Sequence, residues 1–522
     1  MKQLTLIATL FLFPLVTCAG VNLKNGNFYI TYSDLSIEKN GHALEITRTY
    51  NSKATGVGWF GFGWGSKYET QLVVLPDGSA VVKEAGNGRD VYYRTSNDTA
   101  IRAGVKRIVE AATQKNNLSP VATQELSVKL LADEELRVSE SITYAIKSEL
   151  QNDGALEDDC GKGNLVSVPE GYRRRDCNRF GDSQSATDTF DKKGRIIRHE
   201  LKNGYAVMVN YTNDGTAEIR DTLGQRIAMT WNPDGRVVRV ASGDQSTTYT
   251  YENKNLVTVK LDHRGPMTYS YDDQHNLTRI RYGDSSNMFI SYSPQVSGQA
   301  DAVTERTGSQ QTFQYRTDPN NANRYWTTRT EFSSSGVELA TRVFEFENQT
   351  GQTGITQPSR IVQGGANGST ETQYDEKGRI TRKADSDGGL SEYIYRGDKL
   401  ILILKKDLRT EFHYDPKGNL IQAANSTGKV VDLSYAQSSD LIQGIVVSKH
   451  AAEPRRKLKF NYNANGRPTE ITLIGIGKIQ VEYDAQGDIS KVESKQGAKM
   501  VRQVTQAFQD VLTVVSVAGA KF

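Results

Sequence analysis

Three consecutive arginines, Arg173, Arg174 and Arg175, are a dense cationic group in this chain, and an acidic run, Glu157-Asp158-Asp159, precedes them. A guanidinium group donates paired hydrogen bonds to carboxylates and phosphates. The expected structure is a solvated charged loop held by a disulfide. The functional interpretation is a site for an anionic ligand or a partner.

The cysteines offer a second kind of chemistry. Cys160 and Cys177 flank the arginine run and form an even pair once Cys18 is set aside. In an oxidising compartment such a pair predicts a disulfide. Closing a loop of about 17 residues would stabilise the fold by on the order of 3 kcal/mol. A metal site with two cysteine ligands is the alternative, but no histidine lies near them in the sequence.

Catalytic signatures are missing from the sequence: it contains no HExxH, no GxSxG, no P-loop and no GxGxxG ahead of a helix. The six histidines are scattered and none is adjacent to a cysteine. Asp385-Ser386-Asp387-Gly388-Gly389 begins like a calcium loop, but the EF-hand spacing is not completed, so a turn is expected. We predict no cofactor, no metal and no enzyme activity. A glycan hydrolase that uses paired carboxylates is the alternative.

Composition excludes other classes. Lys and Arg number 64 and Asp and Glu number 61, so the net charge is 64 − 61 = +3. This charge gives no global field for nucleic acid, and the basic run Arg455-Arg456-Lys457 is short. A chain of 522 residues predicts two to four domains or one repeat array. With 46 Gly and only 12 Pro, many turns and few rigid linkers are expected.

The N-terminus has the pattern of an export signal over residues 1–19. Lys2 precedes an apolar run, 4–16, that is too short to span a bilayer, and no later run reaches 18 apolar residues. Cleavage after Ala19 would release a soluble protein. Alternatively, the sequence 15–18 resembles a lipobox, which would leave a lipid on Cys18 as the membrane anchor. We expect a bacterial protein that is periplasmic, associated with the outer membrane or secreted.

The elements that must position these groups are repeats. From residue 190 a sequence pattern recurs about every 20 residues. It consists of an aromatic residue, an Asp or Asn next to it, a Gly or Asn four positions after it, and an apolar residue that starts the return strand. Twelve aromatics mark the repeats: Phe190, Tyr211, Trp231, Tyr251, Tyr271, Tyr292, Tyr374, Tyr395, Tyr414, Tyr435, Tyr462 and Tyr483. Before each of them, apolar residues alternate with polar ones, which indicates a strand with one apolar face. Each unit predicts a hairpin with a bulge, and its aromatic is expected to be structural.

These repeats resemble the YD repeats of Rhs proteins, and two further motifs support the resemblance. Arg48-Thr49-Tyr50-Asn51-Ser52 and the run Trp59–Gly65 are similar to the N-terminal domain that precedes the repeats in that family, and Tyr32-Ser33-Asp34-Leu35 matches the element before it. The resemblance implies a β-sheet spiral that forms a shell. In longer members the shell encloses a C-terminal toxin, and some members bind carbohydrate or cell surfaces. Asp415-Pro416-Lys417-Gly418 resembles the family's self-cleavage motif, but it lies inside a repeat, so cleavage is not expected.

The predicted fold is therefore mainly β, with hairpins that form a long coiled antiparallel sheet, a partial spiral shell, and a small helical insertion. The predicted domains are a signal peptide (1–19), an Rhs-type N-terminal β domain (20–95), a helical insertion with the disulfide loop (96–189), the repeat sheet (190–490) and a C-terminal tail (491–522). Ser119-Pro120 predicts a helix start in the insertion. In the tail, the apolar spacing over 501–515 suits a helix, and a strand over 511–517 is the alternative.

Three functions follow as hypotheses. The first is a non-catalytic exported scaffold that binds an envelope or extracellular glycan or protein; Trp59, Trp64 and the tyrosines would suit stacking on sugar rings. The second is a shell or accessory for a toxin or other cargo protein supplied as a separate chain. The third is an enzyme that acts on glycans. No nucleic-acid partner is expected.

Overall fold

The computed structural model of the chain describes residues 19–39, 42–86, 88, 90–94, 97–146, 148, 150, 156–158, 164–175, 186–201, 204–212, 217–262, 265–350, 356–397, 399–436, 441–449, 455–463, 467–483 and 489–515. Cys18, Cys160 and Cys177 lie outside them, as does nearly all of the predicted signal peptide. The chain divides into two compact units. Unit 1 comprises the described residues within 19–37, 44–313 and 333–337, and unit 2 those within 38–43, 314–332 and 338–515.

The strands of the first half belong mainly to unit 1. In chain order they are β1 Ala19–Val21, β2 Phe28–Lys39, β3 His42–Asn51, β4 Val57–Gly58, β5 Gly61–Phe62, β6 Trp64–Gly65, β7 Gln71–Val74, β8 Ala80–Lys83, β9 Asp90–Arg94, β10 Leu156–Asp158, β11 Asn164–Val168, β12 Gly171–Arg175, β13 Thr187–Asp191, β14 Ile196–Glu200, β15 Ala206–Tyr211, β16 Ala217–Asp221, β17 Arg226–Trp231, β18 Val237–Ser242, β19 Gln245–Glu252, β20 Asn255–Leu261, β21 Met267–Tyr271, β22 Leu277–Arg281, β23 Asn287–Tyr292, β24 Ala300–Thr304 and β25 Gln310–Asp318.

The strands of unit 2 continue the series. They are β26 Asn321–Phe332, β27 Glu338–Thr350, β28 Thr356–Gly365, β29 Gly368–Tyr374, β30 Ile380–Asp385, β31 Leu390–Arg396, β32 Lys399–Lys405, β33 Leu408–Tyr414, β34 Leu420–Asn425, β35 Lys429–Tyr435, β36 Ile442–Lys449, β37 Arg456–Tyr462, β38 Pro468–Leu473, β39 Gly477–Tyr483 and β40 Ile489–Glu493.

Each unit is built on an antiparallel sheet whose strands pair with their neighbours in chain order, as the predicted hairpins require. In unit 1, β7 to β9 pair in sequence, and β9 pairs with β10 across the helices that separate them. The long antiparallel sheet with few helices confirms the predicted fold class. A smaller sheet, in the order β1-β2-β3-β6, precedes it.

The register shows why the repeat has an aromatic followed six residues later by an apolar residue. Trp231 pairs with Val237 and Tyr374 with Ile380, and in both hairpins the register shifts by one residue immediately before the aromatic. In many of the turns a Gly supplies the left-handed conformation, as at Gly378 with φ 72°, whereas Asn253 and His275 supply it in the turns after Tyr251 and Tyr271. We call Val237, Ile380 and their equivalents the bulge residues.

Three helices occupy part of the predicted insertion: α1 Asp98–Asn116, α2 Pro120–Ala132 and α3 Glu134–Thr143. The predicted helix start is present, because the Ser119 hydroxyl caps α2 by accepting from the Ala122 amide. The insertion is shorter than expected. Strands β10, β11 and β12 rejoin the main sheet within 156–175, where a loop was predicted.

The tail forms a helix, α4 Ala498–Val515, rather than a strand. We call the face of the sheet that carries the repeat aromatics the aromatic face. In unit 2, α4 packs on this face against β35, β38, β39 and β40. Val504, Val511 and Val515 are fully buried there, and the Phe508 ring lies 5.6 Å from the Phe460 ring. An apolar core therefore joins α4 to its strands.

Candidate functional site: the aromatic face and the segments that cover it

The repeat tyrosines use their hydroxyl groups to join one hairpin to the next. The Tyr271 hydroxyl donates to the Leu256 carbonyl at 2.9 Å, and Leu256 is the bulge residue of the preceding hairpin. The same bond, at 2.6 to 2.9 Å, is made by Tyr251, Tyr271, Tyr292, Tyr395, Tyr414, Tyr435, Tyr462 and Tyr483. A phenol serves this position better than a phenyl ring because it packs and donates at once. These aromatics lie where the sequence predicted structural residues.

The arginine that follows the turn glycine adds a second link between hairpins. The guanidinium of Arg195 lies 4.2 Å from the centre of the Tyr211 ring, and that of Arg379 lies 4.4 Å from the Tyr395 ring. Both arginines also pair with the Asp of their own turn. The repeat therefore fixes each arginine by a cation–π contact and an ion pair.

In unit 1 a segment from the N-terminus covers the row of bulge residues. We call residues 22–37 and 44–66 the N-terminal segment. The Val237 amide donates to the Trp59 carbonyl at 2.8 Å, the Leu277 amide to the Tyr50 hydroxyl at 2.9 Å, and the Ala300 amide to the Gly26 carbonyl at 2.9 Å. These amides belong to three different hairpins of the sheet. The segment thus supplies hydrogen-bond acceptors to the amides of bulge residues, which point away from the hydrogen bonds between the paired strands.

A buried ion pair lies at the centre of this segment. Arg48 donates from Nε to Asp34 Oδ2 at 2.6 Å, and both side chains are completely buried. Arg48 Nη2 also donates to the Tyr269 hydroxyl at 2.7 Å, while the Tyr249 hydroxyl donates to Asp34 at 2.9 Å. Burial opposes the charge on Arg48, but Asp34 beside it more than offsets this effect and raises the pKa of Arg48. Burial also raises the pKa of Asp34, although Arg48 and the Tyr249 hydroxyl act against this effect. The hydrogen bonds of the pair tie the segment to two strands of the sheet, β19 and β21.

Trp64 and Trp59 differ in what they can contact. Trp64 is fully buried, lies 4.5 Å from the Arg48 guanidinium, and donates from Nε1 to the Tyr271 hydroxyl at 3.0 Å. The suggestion that Trp64 stacks on a sugar is therefore wrong, because no face of its ring reaches solvent. Trp59 is only half-buried and meets Trp231 edge-on, with ring centres 4.9 Å apart.

Glu69 follows the N-terminal segment, in a short 3-10 helix, Lys67–Glu69. The Trp59 amide donates to its Oε1 at 2.5 Å, and Gly58 lies so close that a Cβ there would collide with the carboxylate. Burial raises the pKa of Glu69 to about 8. Oε2 is buried and has no hydrogen-bond partner among the described residues. Near neutral pH the structure thus favours the protonated acid at this position.

The arginine run does not form one cationic patch. Arg173, Arg174 and Arg175 lie on strand β12, so successive side chains point to opposite faces. Arg174 is buried and donates to Glu84 at 2.5 Å and to Asp188 at 2.5 Å. Only Arg173 and Arg175 are exposed. The expected anionic-ligand site therefore lacks its central member, which is held by internal carboxylates.

Asp188 extends this network to the surface. It is buried and lies 2.6 Å from His199 Nδ1, while the Arg174 guanidinium on its other side helps to hold its pKa below the usual range despite burial. Sequence reasoning did not find the contacts of four acidic residues with Arg48, the Trp59 amide and Arg174; these residues are Asp34, Glu69, Glu84 and Asp188. The signals that were available are the motifs around Asp34 and Arg48, which the resemblance singled out without giving their contacts.

In unit 2 the surface charges also satisfy one another. Glu345 accepts from Arg324 at 2.9 Å and from Arg360 at 2.7 Å, and Arg360 donates to Glu371 at 3.0 Å. The Trp326 indole donates to Glu345 as well. This ladder crosses four neighbouring strands, β26 to β29. Since each charge has an opposite neighbour, the ladder offers no net field to a charged ligand.

The described residues contain no group of three or more His, Cys, Asp and Glu side chains arranged to hold a metal ion. Within the same ranges, no helix has the length and apolar character needed to cross a bilayer.

Comparison with known proteins gives one domain match and several structural similarities. No curated protein matches the chain. The Tc holotoxin pore of Photorhabdus luminescens, with a TccC3 variant, is similar at 12% identity over 95% of this chain and 37% of that chain, with a TM-score of 0.36. Two crystal structures are similar as well. TcdB2-TccC3-TEV shows 10% identity over 89% of this chain, with a TM-score of 0.34. TcdB2-TccC3 without its hypervariable C-terminal region shows 12% over 88%, with a TM-score of 0.35.

The chain spans about a quarter of the length of those two TcdB2-TccC3 chains, since it covers 24% of each. The domain match covers the strands that carry Asp34, Arg48 and Trp64. Residues 19–93 match the family model described as "Domain of unknown function (DUF6531)".

Proposed function

We propose that this chain is a non-catalytic, exported scaffold of the Rhs type that holds a protein partner, as a shell or accessory for a toxin or other cargo supplied as a separate chain. The DUF6531 match and the motif resemblance both support an Rhs-like protein. Export is proposed from the N-terminal sequence, which lies outside the described residues.

The observation that carries the proposal is the use of the aromatic and charged side chains. Trp64 is buried, eight repeat tyrosines donate to carbonyls of the fold, and Arg174 is held by Glu84 and Asp188. Groups committed to internal bonds are poorly placed to stack on sugars or to transfer protons. This favours a sheet that binds through its surface and backbone over a lectin or a glycan hydrolase.

The test is isolation of the complex from the native host. The chain, tagged at its C-terminus, is crosslinked gently and purified, and bound proteins and glycans are identified by mass spectrometry. An unrelated exported protein with the same tag is the control. We expect one protein in a fixed ratio to the tagged chain, co-eluting in size-exclusion chromatography. The same spectra report whether Cys18 carries a lipid.

Two results would overturn the proposal. Glycan or envelope material without a stoichiometric protein would make the chain a surface-binding scaffold. Turnover of a glycan that is abolished by a single carboxylate-to-amide substitution would make it an enzyme.

A further inference from the structure

In unit 1 the face of the sheet opposite the aromatic face carries a row of arginines. We call this face the outer face. The register aligns one residue from each of the six strands β12 to β17 in a single row: Arg173, Thr189, Arg198, Met208, Arg220 and Arg226. Four of these six residues are arginines. Arg173 therefore belongs to a group of cations whose other members come from later strands, rather than to a group formed with its neighbours in the sequence.

Two arginines of this row repel each other. Arg220 and Arg226 lie directly opposite one another on β16 and β17, and both are exposed. Like charges in this arrangement destabilise a sheet. Glu218 lies 3.6 Å from Arg226, but among the described residues none forms an ion pair or a hydrogen bond with the Arg220 side chain. A bound anion would relieve this repulsion.

Unit 2 contains the same arrangement of two arginines but neutralises it. Arg329 and Arg342 also lie directly opposite one another, and Glu331 pairs with them at 2.7 Å and 3.3 Å. The charged ladder around Glu345 is balanced as well. Stability of the sheet therefore does not require the unbalanced cations of unit 1.

Further cations extend the outer face beyond β17. Cross-strand pairing continues from Thr230 to Arg239 and from Thr268 to Arg281. We call the exposed and half-exposed cations of this face the cationic face: Arg173, Arg175, Arg198, Arg220, Arg226, Arg239, Lys260, Arg279 and Arg281. Glu200 pairs with one of them, Arg198, at 2.9 Å. The turn carboxylates Asp221 and Asp272 accept hydrogen bonds from amides of their own turns.

The distribution of these cations favours a planar ligand over a small or a linear one. They extend over eleven strands, β12 to β22, which is roughly 50 Å along the sheet. They also occupy different levels along the strands, since Arg173 and Arg175 share β12, and Arg279 and Arg281 share β22. Phe289 pairs with Arg279 and is 47% exposed on the same face. Exposed aromatic rings among cations are typical of surfaces that contact lipid headgroups.

We propose that the cationic face of unit 1 binds the surface of an anionic lipid membrane, with its guanidinium groups donating to headgroup phosphates. Arginine forms paired hydrogen bonds with phosphate, and a single phosphate can accept from both Arg220 and Arg226. Each cation near such a surface strengthens binding about fivefold. The N-terminal segment lies on the other face of the sheet, so membrane binding neither requires nor excludes the proposed protein partner.

The test is cosedimentation of the full chain with vesicles made of phosphatidylglycerol and phosphatidylcholine in equal parts. Vesicles of phosphatidylcholine alone are the control for uncharged lipid. Every protein tested carries Cys18→Ser, so that no lipid is attached there, and all share the same apolar run at 4–16. We expect tighter binding to the anionic vesicles, and weaker binding to them as the salt concentration rises.

The double variant Arg220→Gln/Arg226→Gln removes two exposed cations and should weaken binding to the anionic vesicles about 25-fold. The matched control is Arg102→Gln/Lys106→Gln, which removes two exposed cations from α1 and should bind like the unsubstituted chain. Thermal unfolding of both double variants checks that the fold is retained.

Three results would overturn the proposal: no preference for anionic vesicles, full binding by Arg220→Gln/Arg226→Gln, or equal losses in the two double variants, which would reflect net charge alone. Binding of a soluble polyanion, polygalacturonate, without binding of vesicles would also overturn it and would assign the cationic face to an acidic polysaccharide.

Discussion

The N-terminal segment and helix α4 cover the same kind of surface with opposite chemistry. In unit 1 the aromatic face meets a buried Arg48–Asp34 pair, tyrosine hydroxyls and an indole N–H, which form hydrogen bonds with one another. In unit 2 it meets valines and a phenylalanine of α4. Directional bonds to several hairpins fix one alignment of the segment on the sheet, whereas an apolar helix face is held by burial, which has no direction.

The difference has an energetic side. A buried ion pair is weakly stabilising as a whole, but loss of one partner leaves an uncompensated charge. Truncation of an apolar contact removes only its own burial and leaves a cavity. We therefore expect substitutions in the N-terminal segment and in α4 to lower the free energy of unfolding by different amounts. The following changes test that expectation.

The largest effect is expected at Arg48. Arg48→Met keeps most of the volume but leaves the Asp34 carboxylate buried without its cation, which should lower the free energy of unfolding by about 3 to 5 kcal/mol. Urea unfolding followed by hydrogen exchange in peptides from residues 245–300 measures it. Arg226→Met is the control, because Arg226 and Glu218 form an exposed pair worth less than about 1 kcal/mol. An unchanged urea midpoint for Arg48→Met would show that the Arg48–Asp34 ion pair does not anchor the N-terminal segment.

The second prediction concerns pH and Glu69. The pKa of Glu69 is raised from 4.5 to about 8 in the folded chain, so between these values the native state keeps a proton that the unfolded chain has released. The stability that this proton linkage contributes is complete below pH 4.5 and is lost as the pH rises through 8. Glu69→Gln should remove this slope.

Thermal unfolding of the wild-type and Glu69→Gln proteins between pH 5 and 9 measures the difference. The expected result is that the two curves diverge toward high pH, with the variant the more stable. Parallel curves would show that the Glu69 carboxylate is ionised in the fold at neutral pH. The packing of α4, made by apolar side chains, should show no corresponding slope.

A smaller effect is expected in α4. Val511→Ala removes two fully buried methyl groups and should lower the stability of unit 2 by about 2 kcal/mol. Hydrogen exchange in peptides from β35 and β38–β40 reports the change. Val121→Ala, at an exposed site on α2, is the control and should change little. If Val511→Ala lowers stability as much as Arg48→Met does, the N-terminal segment and α4 do not differ in how strongly one substitution destabilises them.

The smallest effects distinguish tyrosines within the row. Tyr414→Phe removes one hydrogen bond, to the Leu400 carbonyl, and should cost about 1 kcal/mol. Tyr271→Phe removes the bond to Leu256 and also the acceptor for the Trp64 indole, so its loss should be about twice as large. Chemical denaturation of both variants gives the ratio. Equal losses of stability in the two variants would show that the hydrogen bond from the Trp64 indole to Tyr271 does not stabilise the N-terminal segment.

The hairpins were predictable because their causes are local. Alternation before Tyr414, the Asp415 after it and the left-handed Gly418 act within a few residues of one another. The contacts of Arg48 were not predictable, since Tyr269 lies 221 positions away and nothing in the sequence pairs them. The motif residues were found, but their partners required the fold.

One error has a physical reason as well. The charges of 157–175 suggested a loop, although alternation along a strand would have separated Arg174 from its neighbours. In the tail, the valines of 511–517 left a strand open as the alternative, and the apolar spacing over 501–515 suited the helix that is present and that packs against β38 and β39.

The tyrosine hydroxyl bond has a consequence for how such a chain changes length. Each hairpin is joined to the one before it by a bond from its own tyrosine to a carbonyl that every bulge offers. A duplicated hairpin therefore carries its own connection, and insertion of one unit into β29–β34, ahead of the strands that α4 contacts, leaves the others in register. Between Gly194 and Ala300 a hairpin cannot be inserted in this way, because hydrogen bonds from residues 26–72 fix the positions of the hairpins there. Natural variation in repeat number should concentrate after residue 300.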